Sequence, residues 1–270
     1  MRILTLTEIW IYPVKSLGGI QLPSSKVLEK GLPFDRRWML VDEKGVFMTQ
    51  RAHPGMALIK PSIDSERLTF RHNTDTVHIP LAPSGPDSGA LQSVMIWNDI
   101  VTVREVSPQH SEWFSDQLKV KCKLMFFPEE EERAVDPAYK IDNEQVSLAD
   151  AFPFLIIGQS SLDELNARLA QPVPMNRFRP NFVFTGGEPF EEDTWRNFSI
   201  ADNQFVAVKP CARCPIPTVD QDTGKKSAEP LKTLSSYRSR NNKVYFGQNL
   251  VALDHGEIKT GDTLTLHANV

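Results

Sequence analysis

The sequence predicts a mainly β fold with a few helices, of the α+β class. Three observations predict it. Short apolar runs recur at regular spacing through the first hundred residues, each bounded by turn signals. Segments with helix start signals are few. The 270 residues include 20 Pro and 14 Gly, so turns are frequent without low complexity. Hydrophobic residues make up 40% and charged residues 24%, an ordinary globular composition that excludes disorder over most of the chain.

The elements follow in order. Ile3, Leu4, Leu6, Ile9, Ile11 and Val14 roughly alternate, which predicts an N-terminal strand. Trp38 to Val41 and Val46 to Thr49 flank Asp42-Glu43-Lys44-Gly45 and predict a hairpin. Leu68 to Phe70 and Val77 to Leu81 flank a turn at Asn73-Thr74-Asp75. Val94 to Trp97 and Ile100 to Val103 flank Asn98-Asp99, a two-residue hairpin loop. Glu112 to Leu118 reads as a helix entered after Ser107-Pro108. Glu129 to Arg133 reads as a solvated, charged loop. Leu162 to Leu169 reads as a helix, with Ser161 and Glu164 as its capping box. A short helix is expected from Leu231 to Tyr237, just after Pro230. Further strands are expected at Asn181 to Thr185, Phe205 to Lys209, Val244 to Phe246, Leu250 to Leu253 and Thr263 to Leu266. Evenly spaced short strands point to a barrel or a sandwich.

Composition narrows function. The formal charge of −4 argues against an extended nucleic-acid surface but leaves room for a local basic pocket. No apolar run approaches the ~20 residues that span a bilayer, so no membrane partner is expected. The segment from Met1 to Pro13 lacks the apolar centre and cleavage site of a signal peptide. Three cysteines make no disulfide framework, and a reduced, cytoplasmic protein is expected.

Two of those cysteines lie in Lys209-Pro210-Cys211-Ala212-Arg213-Cys214-Pro215-Ile216-Pro217-Thr218. Four readings are open. A zinc half-site needs about four ligands, and Cys122 is the one cysteine that stands elsewhere. A redox Cys-x-x-Cys opens a helix, which Pro217 opposes here. Two small cysteines can also simply pack at a strand end. Finally, one thiolate can ligate a soft, redox-active metal, with Lys209 and Arg213 lowering its pKa. That last reading requires a cofactor with its own, anionic handle, and hence a set of cations. Lys15-Ser16, Arg36-Arg37, and Arg177 and Arg179 ahead of Asn181 are the candidates.

Together these residues resemble the MOSC superfamily, in the branch with an N-terminal MOSC-associated β-barrel domain that includes amidoxime-reducing and N-hydroxylated-base-reducing members. The resemblance rests on Ile11-Tyr12-Pro13-Val14-Lys15-Ser16, Phe34-Asp35-Arg36-Arg37-Trp38, Pro153-Phe154-Leu155-Ile156 and Phe178-Arg179-Pro180-Asn181. It continues through Glu192-Asp193-Thr194-Trp195, Cys211-Ala212-Arg213-Cys214, Thr218-Val219-Asp220 and Phe246-Gly247-Gln248-Asn249. It implies a MOSC-type barrel packed with an N-terminal barrel domain, divided as residues 1–120 and 121–270.

The resemblance also implies a pyranopterin molybdenum cofactor, in a superfamily also associated with pyridoxal phosphate. Cys214 falls on the metal ligand. Lys15, Ser16, Arg36 and Arg179 fall on cofactor-binding positions, with Asn181 and Arg213 beside them. Pro217-Thr218 stands where animal members have two threonines, so the loop beyond the ligand is expected to be stiffer. The implied activity is reduction of small N-hydroxylated substrates: hydroxylamines, amidoximes and N-hydroxylated purines. The chain shows no dinucleotide fingerprint, and the ferredoxin domain of some bacterial relatives is not found before Val270. A separate ferredoxin-like or flavoprotein reductase is therefore expected as electron donor. The alternative is a cofactor or sulfur carrier holding a persulfide on Cys211 or Cys214.

Overall fold

A computed structural model describes residues 2–83 and 88–267. In chain order its strands are β1 (Leu4–Ile11), β2 (Ile20–Leu22), β3 (Ser24–Lys26), β4 (Trp38–Val41), β5 (Lys60–Ile63), β6 (Arg67–His72), β7 (Asp75–Pro80), β8 (Leu91–Ile96) and β9 (Asp99–Glu105). There follow β10 (Lys123–Phe126), β11 (Phe154–Gly158), β12 (Phe182–Thr185), β13 (Asn197–Ile200), β14 (Asn203–Ala212), β15 (Ser239–Arg240), β16 (Lys243–Ala252), β17 (Glu257–Lys259) and β18 (Thr263–Leu266). The α-helices are α1 (Pro108–Leu118), α2 (Gln159–Asn166) and α3 (Leu231–Ser235).

Seven strands close into a barrel in the order β11-β12-β1-β18-β13-β14-β16, with β16 pairing back to β11. Only β11 and β12 run parallel; the other neighbours are antiparallel. Alternation in β1 buries Leu4, Leu6, Ile9 and Ile11 inside. Phe154, Phe182 and Phe205 meet there with centroids 5.5–5.6 Å apart. The first residues of the chain thus complete a barrel built mostly from its second half. A second layer holds the sheet β4-β10-β9-β8, the sheet β5-β6-β7 and α1. Its core gathers Val14, Trp38, Leu40, Phe70, Phe114 and Leu124.

Several expectations are corrected. Ile96 pairs with Asp99, so the β8–β9 loop is Trp97-Asn98 rather than Asn98-Asp99, with Trp97 at φ 57°. Helix α2 starts after Gly158, and Ser161 sits within it rather than capping it. The Ser161 hydroxyl is buried and donates to the Glu192 carboxylate at 2.9 Å. Val46 to Thr49 forms isolated bridges to Val41 and Met95 instead of a full strand. The loop of Glu129 to Arg133 is not wholly solvated. Arg133 is buried and donates to the backbone carbonyls of Ser147 and Ala149. Strand β11 is buried at all five positions, lined inside by the barrel core and covered outside by α2.

The two strands expected around Gly247 are one ten-residue strand, β16. Gly247 permits this with φ 83°, a conformation side chains resist. A Cβ there would meet Ile157 Cγ1 at 2.6 Å and the Ile156 carbonyl at 2.9 Å. Gly247→Ala should therefore cost about 2–4 kcal/mol in chemical denaturation. Gly261→Ala, with φ 96° but no neighbour within 4 Å, should cost only about 1–2 kcal/mol. Equal losses at both sites would contradict the close packing of β11 against β16.

Candidate functional site

The site forms where the connections at one end of the barrel meet the second layer. After β1 the chain runs Tyr12-Pro13-Val14-Lys15-Ser16 alongside the approach to β4. Arg36 N donates to the Tyr12 carbonyl (3.0 Å), Trp38 N to Pro13 (3.0 Å) and Lys15 N to Trp38 (2.8 Å). The entry to β12 joins them, since Trp10 N donates to the Asn181 carbonyl and Asn181 N to Leu155, both at 2.8 Å.

One buried carboxylate ties these stretches together. Asp35 accepts from Tyr12 N at 2.7 Å, from Arg36 Nη1 at 2.6 Å and from Asn181 Nδ2 at 3.1 Å. Asn181 Nδ2 also donates to the Trp10 carbonyl, while its Oδ1 accepts from Leu155 N and Arg36 Nη1. Asn181 spends its hydrogen bonds within the protein and serves to orient Arg36.

Lys15, Ser16, Arg36, Arg179, Asn181, Arg213 and Cys214 line one cavity, with Cys211 and Asp150. Stretches distant in sequence converge, and four cations share a cavity with one carboxylate. Ser16, Arg36 and Arg179 all adopt left-handed backbone, at φ 66°, 48° and 56°. Such conformations are uncommon outside glycine and concentrate at functional sites.

The guanidinium groups of Arg36 and Arg179 stand 4.3 and 4.2 Å from the Tyr12 ring centroid. Arg36 Nη2 donates to the Arg179 carbonyl, and Arg179 Nη1 to the Leu17 carbonyl. Burial, and next the Arg36 charge, push the Arg179 pKa down to about 10, so Arg179 is charged at neutral pH. Lys15 Nζ reaches the Leu148 carbonyl at 2.9 Å and Asp150 Oδ1 at 2.5 Å. Burial pulls the Lys15 pKa down, partly offset by the Asp150 carboxylate. Burial would raise the Asp150 carboxyl, but the Lys15 charge and hydrogen bond prevail and hold it below its usual range.

The cysteines differ. Arg213 Nη1 points at Cys211 Sγ, 3.0 Å away, and Nη2 donates to the Phe178 carbonyl. Burial nonetheless raises the Cys211 thiol, outweighing the Arg213 charge. The expected thiol activation by Lys209 and Arg213 is thus not found at Cys211. Lys209 instead lies over the Tyr139 ring at 3.8 Å. Cys214 is half-buried on the cavity wall, ahead of a 3-10 turn, Ile216–Thr218. Arg177 holds that turn by donating to the Pro217 carbonyl and pairing with Asp220 at 3.3 Å. Arg37 faces away and pairs with Glu129. Among the described residues no three His, Cys, Asp or Glu cluster to hold a metal by themselves.

The chain's sequence matches proteins of known kind. Residues 143–265 match the MOSC domain, and residues 3–121 match the MOSC N-terminal beta barrel domain. The chain belongs to the MOSC family. It is 32% identical to human mitochondrial amidoxime-reducing component 1 over 97% of this chain and 82% of that protein. The mouse protein of that name is 31% identical with the same coverage. Molybdenum cofactor sulfurase from Arabidopsis thaliana is 32% identical over 90% of this chain, which spans 32% of that protein. The YUAD protein of Bacillus subtilis is a structural match over 100% of this chain and 99% of its own, at TM-score 0.44 and 10% identity.

The motifs single out the cations and cysteines that line the cavity, but not Asp35, Tyr12 and Asp150. Asp35 and Tyr12 lie inside the Phe34–Trp38 and Ile11–Ser16 motifs, where the adjacent cations carry the chemical signal. Asp150 carried no motif signal.

The donor set fits an anionic cofactor with a soft metal. Among the described residues, Arg179 Nη2 and Arg213 Nε are buried without partners, beside a thiol. Buried unpaired donors are costly, and an anion in the cavity would satisfy them. Inorganic phosphate should therefore raise the thermal midpoint of cofactor-free protein, measured by differential scanning fluorimetry. Arg36→Met and Arg179→Met should each abolish most of that rise, whereas Arg37→Met should leave it. An equal rise in all four proteins would mean that phosphate binds elsewhere.

Proposed function

We propose that this MOSC protein is a molybdenum-cofactor-dependent reductase of small N-hydroxylated compounds that draws electrons from a separate redox protein. The observation that carries the reading is the convergence of four cations, two unpartnered buried guanidinium N–H groups and the Cys214 thiol on one cavity. The named activity of the amidoxime-reducing relatives supports it.

In this reading Cys214, as thiolate, ligates the metal. Arg36 and Arg179 would neutralise the anionic end of the cofactor, Arg179 through its unpartnered Nη2, and Lys15 and Ser16 would complete the cradle. Asp35 and Asn181 hold Arg36 in place, and Tyr12 supports both arginines. When bound, the cofactor supplies two-electron redox chemistry that the side chains lack. The overall reaction breaks the substrate N–O bond, consumes two electrons and two protons, and releases water. Electrons arrive through a transient contact near Cys214, of the kind that typically buries under ~1,200 Å².

A second reading, a cofactor or sulfur carrier, draws on the similarity to molybdenum cofactor sulfurase. It requires an exposed, reactive thiol. Cys211 suits it poorly, because burial raises its thiol and the Arg213 guanidinium covers it.

Protein made under molybdenum-replete conditions should carry stoichiometric metal and reduce an amidoxime with reduced viologen. Cys214→Ser should lose at least ~10²-fold in kcat, the upper end of what losing even an outer-shell partner of a metal ligand costs. Cys211→Ser should retain most activity. Full turnover by Cys214→Ser would overturn the assignment. NADPH alone should drive no turnover until a reductase system is added. Stoichiometric molybdenum with no turnover from any donor would favour the carrier.

A further inference from the structure

A groove of about 440 Å³ lies beside the cavity, lined by Phe47, Met48, Arg51, His53, Trp97 and Asn98 among others. That size falls in the range of small-molecule sites. Trp97 dominates it. As the first loop residue between β8 and β9, it holds φ 57°, where glycine or asparagine is usual and a bulky side chain is an outlier. Three contacts keep it there. The Phe47 ring lies 5.1 Å away, tilted by 55°. The Arg51 guanidinium lies 4.2 Å from the Trp97 ring centroid. The indole N–H donates to Asp150 Oδ1 at 3.1 Å.

The same Asp150 oxygen accepts from Lys15 Nζ in the cavity, and Lys15 Nζ lies 5.4 Å from the Phe47 ring centroid. Groove and cavity are therefore joined by shared contacts. Trp97 nevertheless stays 39% exposed. Arg51 has no carboxylate partner among the described residues, and its Nε reaches only the Thr49 hydroxyl at 3.3 Å. A strained, half-exposed tryptophan beside a second aromatic ring and an unpaired guanidinium is a surface for flat π-systems.

We infer that this groove binds the planar aromatic body of the substrate, so that the protein selects aryl over alkyl N-hydroxylated compounds. The inference rests on the proposed reductase reading for the identity of the substrate, but binding tests it without turnover. Asp150 then acts as a positioning residue, coupling the groove wall to Lys15. The partner-free edge of Arg51 suits rings that carry a hydrogen-bond acceptor.

The test is a titration of the full chain, without reductant, with benzamidoxime and acetamidoxime, the simplest aryl and alkyl pair. Calorimetry gives affinity, and tryptophan emission reports ring contact. The aryl compound should bind at least about tenfold more tightly and quench emission. Trp97→Ala should lose that preference while leaving acetamidoxime affinity unchanged. Trp97→Phe, which keeps a ring but drops the indole N–H, should retain the preference. Equal affinity of the wild type for both compounds would overturn the inference. So would a Trp97→Ala variant that weakens both compounds alike, because the residue would then only shape the cavity. Aryl preference in this titration, with no reduction of either compound in a parallel assay of molybdenum-loaded protein with reduced viologen, would keep the groove and sink the reductase reading. Reduction with no aryl preference would do the reverse.

Discussion

Asp35 holds the site together with one carboxylate. Its oxygens meet the backbone of Tyr12, the guanidinium of Arg36 and the amide of Asn181. These belong to the exit of β1, the entry to β4 and the entry to β12. The barrel brings the strands close, but hydrogen bonds fix how the loops leave them. Removing one partner of such a buried ionic cluster typically costs ~3–5 kcal/mol, since the remaining charge is stranded. The left-handed backbones of Ser16, Arg36 and Arg179 persist for the same reason: surrounding contacts over-determine them.

The cations crowd because the fold spends few carboxylates on them. Arg36 has Asp35, and Lys15 has Asp150. Among the described residues Arg179 has a carbonyl and the Tyr12 ring, and Arg213 a carbonyl, a thiol and the Phe178 ring. A chain of formal charge −4 thus keeps a local excess of positive charge beside Cys214. Like charges held together without counter-ions are a cost that binding an anion relieves. Arg37 and Arg177, each close in sequence to a cavity arginine, do structural work elsewhere. Sequence proximity alone did not separate the two roles.

Much of the fold was legible. The hairpin β6–β7, helix α1 from Glu112 onward and the alternation of β1 follow from local patterns, while the first turn of α1, capped by Ser107, begins four residues ahead of the expected start. Strands β10, β11 and β13 were not read as strands, since three-quarters or more of their positions are buried or half-buried and alternation is lost. Ser161 resembled a cap because its spacing to Glu164 was right, yet its hydroxyl serves Glu192, a residue 31 positions away. Asn98-Asp99 resembled a turn on propensity, while tertiary contacts of Trp97 moved the loop by one residue. The site residues were legible as motif positions. Their supports, Asp35, Tyr12 and Asp150, became visible only when the loops came together, because a counter-ion is defined by what it faces.

In the proposed function Cys214 and the surrounding cations hold a molybdenum cofactor, with the metal on that thiol. X-ray absorption at the molybdenum edge tests it most directly, on metal-loaded wild type, Cys214→Ser and Cys211→Ser. Cys214→Ser should show one sulfur scatterer fewer at the metal, with Cys211→Ser matching wild type. An unchanged sulfur shell in Cys214→Ser, or a loss confined to Cys211→Ser, would contradict it.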